Sequence, residues 1–197
     1  MYQTLASLTL FAVAGAFTPG PNNLISAATG AAFGFRRTLP QILGVTLGFP
    51  LMVIAIGFGL GGLFVAIPQL HTLLKVAGAA YLLWLAWKIA GAGGPGAGTA
   101  PAQPPTLLQS ALFQWVNPKA WTIALGVVPA FTTVGGDFVA EVLLIAVVMG
   151  IVTFPALSLW AGFGVALSRT LSDPRQQRLV NLIMAALVAA SVVLLFI

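Results

Sequence analysis

Two of the long apolar stretches in this chain are broken in the middle by residues that a membrane helix has no ordinary reason to carry. The first break reads Thr18-Pro19-Gly20-Pro21-Asn22-Asn23, and the second reads Asn117-Pro118-Lys119. Proline deletes a backbone donor, while the asparagines and the lysine bring polar groups to membrane depth. In hydrocarbon every backbone polar group must be satisfied internally, so such breaks survive only where protein or a watery cavity meets the freed groups. Breaks in corresponding places of two halves point to the binding site of a transporter.

Composition makes the membrane setting firm. The chain is 59% hydrophobic and 6% charged, whereas a soluble domain carries roughly 25% charged residues to cover its surface. An all-α integral membrane protein follows, with residues 1–197 as a single membrane domain. The longest polar interval, 91–106, is rich in Gly, Pro and Ala and reads as a linker between 1–90 and 107–197. Without cysteine the chain has no disulfide, thiolate metal site or thiol relay. The formal charge of +5 sits at helix ends, which fits anchoring to membrane lipid rather than binding nucleic acid. The run 5–16 ends in Ala14-Gly15-Ala16, as a signal peptide can, but no Lys or Arg precedes it. It reads as part of the first membrane segment.

About 20 apolar residues cross the hydrocarbon as a helix. Six candidate spans follow: 5–35, 39–66, 70–90, 107–131, 138–168 and 179–197. Spans one and four contain the breaks. Arg36 and Arg37, then Lys88, then Arg169, Arg175 and Arg178 fall on one face of such a six-span chain. The other face has His71, Asp137, Glu141 and at most Lys75. The basic face is expected to be cytoplasmic, with both termini outside. A five-span arrangement with one break re-entrant is the alternative, and it changes the sidedness.

The two halves are related in sequence. Phe49-Pro50, six residues, then Gly57-Phe58-Gly59 recurs as Phe154-Pro155, six residues, then Gly162-Phe163-Gly164. Gly44 and Gly150 precede the prolines at nearly the same distance. Three spans per copy is an odd number, so the second copy enters from the opposite side, giving an inverted repeat. The glycines, with Gly44-x-x-x-Gly48 foremost, let helix backbones approach. Tight packing within the monomer is the favoured use of them, with a homodimer interface or a sliding surface as the alternatives.

Asn117 is a good N-cap, and proline suits the first helical position, so Pro118 is expected to open a half-helix within the membrane. Lys119 then adds a full positive charge to an already positive helix start, and an amino-acid carboxylate would relieve the conflict. The alternative is that Lys119 reaches the interface or binds freed carbonyls near Trp115. In the first break Pro19 and Pro21 pin the backbone and Gly20 leaves room. Asn22 or Asn23 is expected to cap a second half-helix, to meet substrate, or both. Thr46, Gln114, Trp115 and Trp121 are candidate cavity-lining residues, and Gln41 can add hydrogen bonds within the bundle. Gly44, Gly48, Pro50, Gly57, Gly150, Pro155 and Gly162 are candidate packing or conformational positions. No carboxylate lies deep in a span, which argues against aspartyl proteolysis, divalent-metal transport and strongly cationic substrates. No catalytic residue, cofactor or metal site is expected.

The run Phe17 to Asn23, then Gly34-Phe35-Arg36, then Gly44-Val45-Thr46-Leu47-Gly48-Phe49 resembles the N-terminal signature of the LysE/RhtB family of amino-acid exporters. Gly78 to Lys88 resembles its third helix, and Phe113 to Lys119 its fourth. The resemblance covers nearly the whole chain. It implies an exporter of amino acids or close derivatives in the bacterial inner membrane, driven by an ion gradient, with H+ as the expected coupling ion. The cysteine/O-acetylserine exporters of the RhtB branch are the nearest type. The basic-amino-acid exporters resemble the chain less, because an acid of their second helix has no equivalent around Thr46. The expected activity is secondary export of small neutral or polar amino acids. A non-transporting scaffold, a channel, or export of another small metabolite are the alternatives.

Overall fold

The computed structural model describes residues 2–91, 103–170 and 173–193. Most of the expected linker (92–102) and the end of the last expected span (194–197) lie outside the described residues, as does the side chain of His71.

Apart from short connections the described residues are helical, and the breaks fall where proline and glycine put them. Helix α1 (Tyr2–Phe17) stops before Thr18, and α2 (Pro21–Phe33) starts with proline at its first position. Gly34 ends α2 at φ 80, a backbone region that favours glycine, and α3 (Phe35–Ala55) begins at the next residue. A π-helical turn (Ile56–Leu60) carries α3 into α4 (Gly61–Ala66), and α5 (Pro68–Ala90) follows. Past the linker, Thr106 and Gln109 form a capping box that opens α6 (Leu107–Phe113). A 3-10 turn (Gln114–Val116) then leads to α7 (Pro118–Phe131). Asp137 caps α8 (Phe138–Arg169), and Asp173 caps α9 (Pro174–Ala190).

Three of these helical stretches are long and apolar enough to cross a membrane: Phe35–Leu60, Thr72–Ala90 and Phe138–Arg169. The two stretches expected as broken spans come as the pairs α1/α2 and α6/α7. The longest member of these pairs, α1, has 16 residues. That is ~24 Å of helix, short of the ~30 Å hydrocarbon core. Large apolar side chains such as Leu10, Leu51, Ile151 and Leu159 are exposed, as lipid-facing positions should be.

Small residues set the helix contacts. A Cβ on Gly30 would collide with the Ala161 carbonyl, and one on Gly164 with the Ala27 carbonyl, so α2 and α8 touch backbone to backbone. Gly44 faces the Leu107 carbonyl, and Gly48 lies where a Cβ would meet Ala111 Cα at 2.6 Å. The shared step of four residues makes α6 parallel to α3. The Gly44-x-x-x-Gly48 face is therefore spent on packing within the chain. On the other side of α3, Gly57 abuts Val142, Gly150 abuts Pro50, and Ile42 and Val45 cluster with Leu157 and Ala161. Positions rise on α3 as they fall on α8, so these two long helices are antiparallel. Helix α8 is the hub, packing on α1, α2 and α3, while α5 packs on α9.

The two Gly-Phe-Gly motifs do not share a backbone. The first is kinked, with Phe58 at ψ 19 and Gly59 at φ 106. The second runs inside unbroken α8. Their surroundings differ as well: a Cβ on Gly164 would collide with α2, whereas one on Gly59 would meet nothing within 4 Å.

Candidate functional site

At the second break the chain behaves as its residues dictate. Asn117 is extended (φ −90, ψ 109), and its Oδ1 accepts a hydrogen bond from the Lys119 amide at 3.1 Å. Pro118 occupies the first helical position, where its missing donor leaves nothing unsatisfied. The Trp121 indole donates to the Trp115 carbonyl at 2.8 Å, and the two rings meet edge to face. Lys119 is therefore not needed at Trp115.

The first break is organised differently from the expectation that Asn22 or Asn23 caps α2. Gly20 is the N-cap and makes no side-chain cap bond. With Pro21 at the first helical position, both asparagines already lie inside the helix, and helical side chains lean back toward the N-terminus. Asn23 Nδ2 accordingly donates to the Ala16 carbonyl at 2.8 Å, satisfying the end of α1 rather than the start of α2. Asn22 turns to the other break. Its Nδ2 donates to Gln114 Oε1 at 2.8 Å, and Gln114 Nε2 returns a bond to Asn22 Oδ1 at 3.3 Å. Gln114 Nε2 also donates to the Ser110 carbonyl at 2.8 Å.

Lys119 completes the link. Its Nζ donates to the Thr18 carbonyl, which α1 leaves free at the first break. Gly20 makes room for it, since a Cβ there would lie 2.7 Å from Lys119 Cδ. The two breaks are thus tied to each other twice, by the Asn22–Gln114 amide pair and by Lys119.

Between them lies a cavity of about 50 Å³. Its polar lining is Asn22, Asn23, Gln114, Asn117, Lys119 and Thr153, and its apolar lining includes Ala12, Ala16, Val45, Phe49, Ile123, Met149 and Leu157. The only charged side chain in the lining is Lys119. The site falls at mid-length of α8. Among the described residues no cluster of His, Cys, Asp or Glu could hold a metal ion.

Other residues singled out by the sequence stand elsewhere. Pro19, Pro21 and Pro118 shape the backbone without lining the cavity, and Trp115 and Trp121 sit beside it in the apolar core. Thr46, with Pro50 and Gly150, lines a separate apolar groove between α3 and α8. Pro155 is exposed, and a Cβ added at Gly162 would meet nothing within 4 Å. Gln41 accepts from Ser26 Oγ at 3.0 Å in a fully buried pair. Thr153 and the small α1 residues Ala12, Gly15 and Ala16 join the lining without having been site candidates in the sequence. For Thr153, its place just before the repeated Phe154-Pro155 was the available signal.

Comparison with known proteins gives this arrangement a family. The family model described as LysE type translocator matches residues 13–197. A cysteine/O-acetylserine efflux protein of Escherichia coli (strain K12) is 29% identical over 200 residues, covering 98% of this chain and 97% of that protein. One of the same description from Salmonella typhimurium (strain LT2) is 41% identical over 87 residues, covering 44% of each. The chain thus spans less than half the length of the Salmonella relative in that alignment. No solved structure matches. With the family match running over nearly its whole length, the chain belongs to the LysE family of translocators, multi-pass membrane transporters rather than enzymes.

Proposed function

We propose that the chain is a secondary exporter of small neutral or polar amino acids or their derivatives, with cysteine and O-acetylserine as the first candidates. Six spans in two inverted three-helix halves, 1–90 and 107–197, cross the bacterial inner membrane, with the basic end cytoplasmic and both termini outside. The antiparallel course of α3 and α8 supports that layout. The efflux activity named for the relatives supports the substrate class.

One observation carries the site: a lone cation, Lys119, reaches from one break to a bare carbonyl of the other across a cavity lined by three asparagines and a glutamine. An α-amino acid can exchange into that contact. Its carboxylate takes the Lys119 ammonium, and its own ammonium takes the Thr18 carbonyl that Lys119 gives up. Asn22, Asn23 and Asn117, which both donate and accept, line the rest of the site. A cavity of about 50 Å³ holds only a few waters, at roughly 10–15 Å³ each. Admitting an amino acid therefore requires the pairs α1/α2 and α6/α7 to move apart. Protons are the proposed coupling ion, with Lys119 as the titratable group in the site.

The test is uptake of radiolabelled cysteine, O-acetylserine, serine and lysine into inverted vesicles with and without an imposed proton gradient. Saturable, gradient-stimulated uptake of the neutral substrates is expected. Uptake equal to that of empty vesicles points to a scaffold, and unsaturable flux to a channel; either outcome overturns the proposal.

A further inference from the structure

Buried polar side chains are not spread evenly around the cavity. On the side leading to the Arg36–Arg37 end, Asn22, Ser26 and Thr29 follow one another on α2 at helical spacing. Gln41 of α3 bonds Ser26, Gln114 of the 3-10 turn bonds Asn22, and Ser110 of α6 lies against Gly44 of α3. Ser26, Thr29, Gln41 and Gln114 are at most 1% exposed, and Ser110 is 3% exposed. On the opposite side the enclosed residues between α1, α3, α7 and α8 are apolar, among them Leu8, Met52, Val53, Val127 and Ile145.

A second observation bears on the polar side. Three buried hydroxyls have no hydrogen-bond partner, those of Thr29, Thr46 and Ser158, and of these residues only Thr29 is fully buried. Polar groups between membrane helices are costly and mark substrate and ion pathways. An unpaired hydroxyl has a use if the seam opens, because water can then reach it and can replace the Ser26–Gln41 and Asn22–Gln114 bonds. The apolar side offers water no such exchange and stays sealed.

We infer that the polar seam between α2, α3 and α6 is the hydrated route joining the cavity to the basic face, and that the apolar cluster around Met52 and Val127 is the closed gate on the other face. The inference rests on the membrane placement and carrier cycle proposed above. In an export cycle this seam is where cytoplasmic substrate enters.

The chain lacks cysteine, so any introduced thiol is the sole target of a charged, membrane-impermeant methanethiosulfonate. Ser26→Cys, Thr29→Cys and Ser110→Cys are compared with Met52→Cys and Val127→Cys in inside-out and right-side-out vesicles, with Arg175→Cys marking the basic face. The seam thiols are expected to react about tenfold faster from the face that modifies Arg175→Cys than from the other. The Met52 and Val127 thiols are expected to resist reagent from that face. Seam thiols that react from the opposite face, or from neither face in protein that still exports, overturn the inference. Thr29→Val, close in shape, provides a variant that keeps the packing. In the Ser110→Cys background it is expected to slow modification about fivefold by removing a polar foothold for water, and an unchanged rate counts against the seam. Sided labelling in protein that moves no amino acid upholds the route and overturns the carrier proposal instead.

Discussion

Lys119, in the first turn of α7, donates its ammonium to the backbone carbonyl of Thr18 at the far end of α1. This contact spans 101 positions of sequence and joins the two breaks over the cavity. Lys119→Met keeps much of the side-chain volume and removes the charge. Saturable export by reconstituted protein is expected to fall about 10- to 150-fold, the range of a hydrogen bond to a charged group at ~1.5–3 kcal/mol. Wild-type initial rates in vesicles would sink the carboxylate-exchange proposal.

The Asn22–Gln114 pair makes a separate prediction. Asn22→Leu leaves Gln114 with only its bond to the Ser110 carbonyl, and Gln114→Met leaves the half-buried Asn22 amide without its partner, at about 1–3 kcal/mol each. The double variant removes both amides, so it is expected to lose less than the sum of the singles, by about 0.5–3 kcal/mol. Thermal unfolding of all four proteins in detergent measures the coupling. Strict additivity would mean that the two amides do not stabilise each other.

The second Gly-Phe-Gly motif separates packing from propensity within three residues. Gly164→Ala places a Cβ against the Ala27 carbonyl, and is expected to cost about 1–3 kcal/mol by forcing α2 and α8 apart. Gly162→Ala meets nothing within 4 Å, and is expected to be neutral or to gain up to about 1 kcal/mol of helix propensity. The difference between the two melting temperatures is the readout, and equal effects would contradict the α2–α8 contact.

Asn117 tests capping against binding. Asn117→Ala removes the cap on the Lys119 amide, at a cost of about 1 kcal/mol in stability. Asn117→Asp keeps a capping oxygen and brings a carboxylate close to Lys119. Stability is expected to hold, while the apparent KM for amino acid rises about tenfold or more as the new charge competes with substrate. An unchanged KM with unchanged stability would separate Asn117 from the site.

Much of the helix plan was legible because its signals are local. Asn117-Pro118 marks the start of α7 by backbone chemistry alone, whereas α2 starts at Pro21, ahead of the Asn22 or Asn23 cap that the sequence suggested. Apolar length located α5 and α8 to within two residues, but the span expected at 39–66 starts at Phe35 and is divided by the turn after Ala55. The partners of Asn22, Asn23 and Lys119 were not legible, because each depends on which freed group another segment brings near. An asparagine two positions into a helix is as able to cap as to bridge. Only the approach of Gln114 and the end of α1 decides between them.

The chain's own residues determined that it is a helical membrane protein interrupted at two polar breaks, since hydrocarbon admits few other solutions for such a composition. They also determined that a half-helix begins at Pro118 and that Lys119 is the cation beside it. Tertiary structure alone decided that the breaks face each other, that the Lys119 ammonium meets the Thr18 carbonyl, and that α2 and α8 touch at Gly30 and Gly164. These outcomes turn on contacts between segments far apart in sequence. At Gly164 the backbone of α8 meets the Ala27 carbonyl of α2, an approach that no residue near Gly164 in sequence specifies.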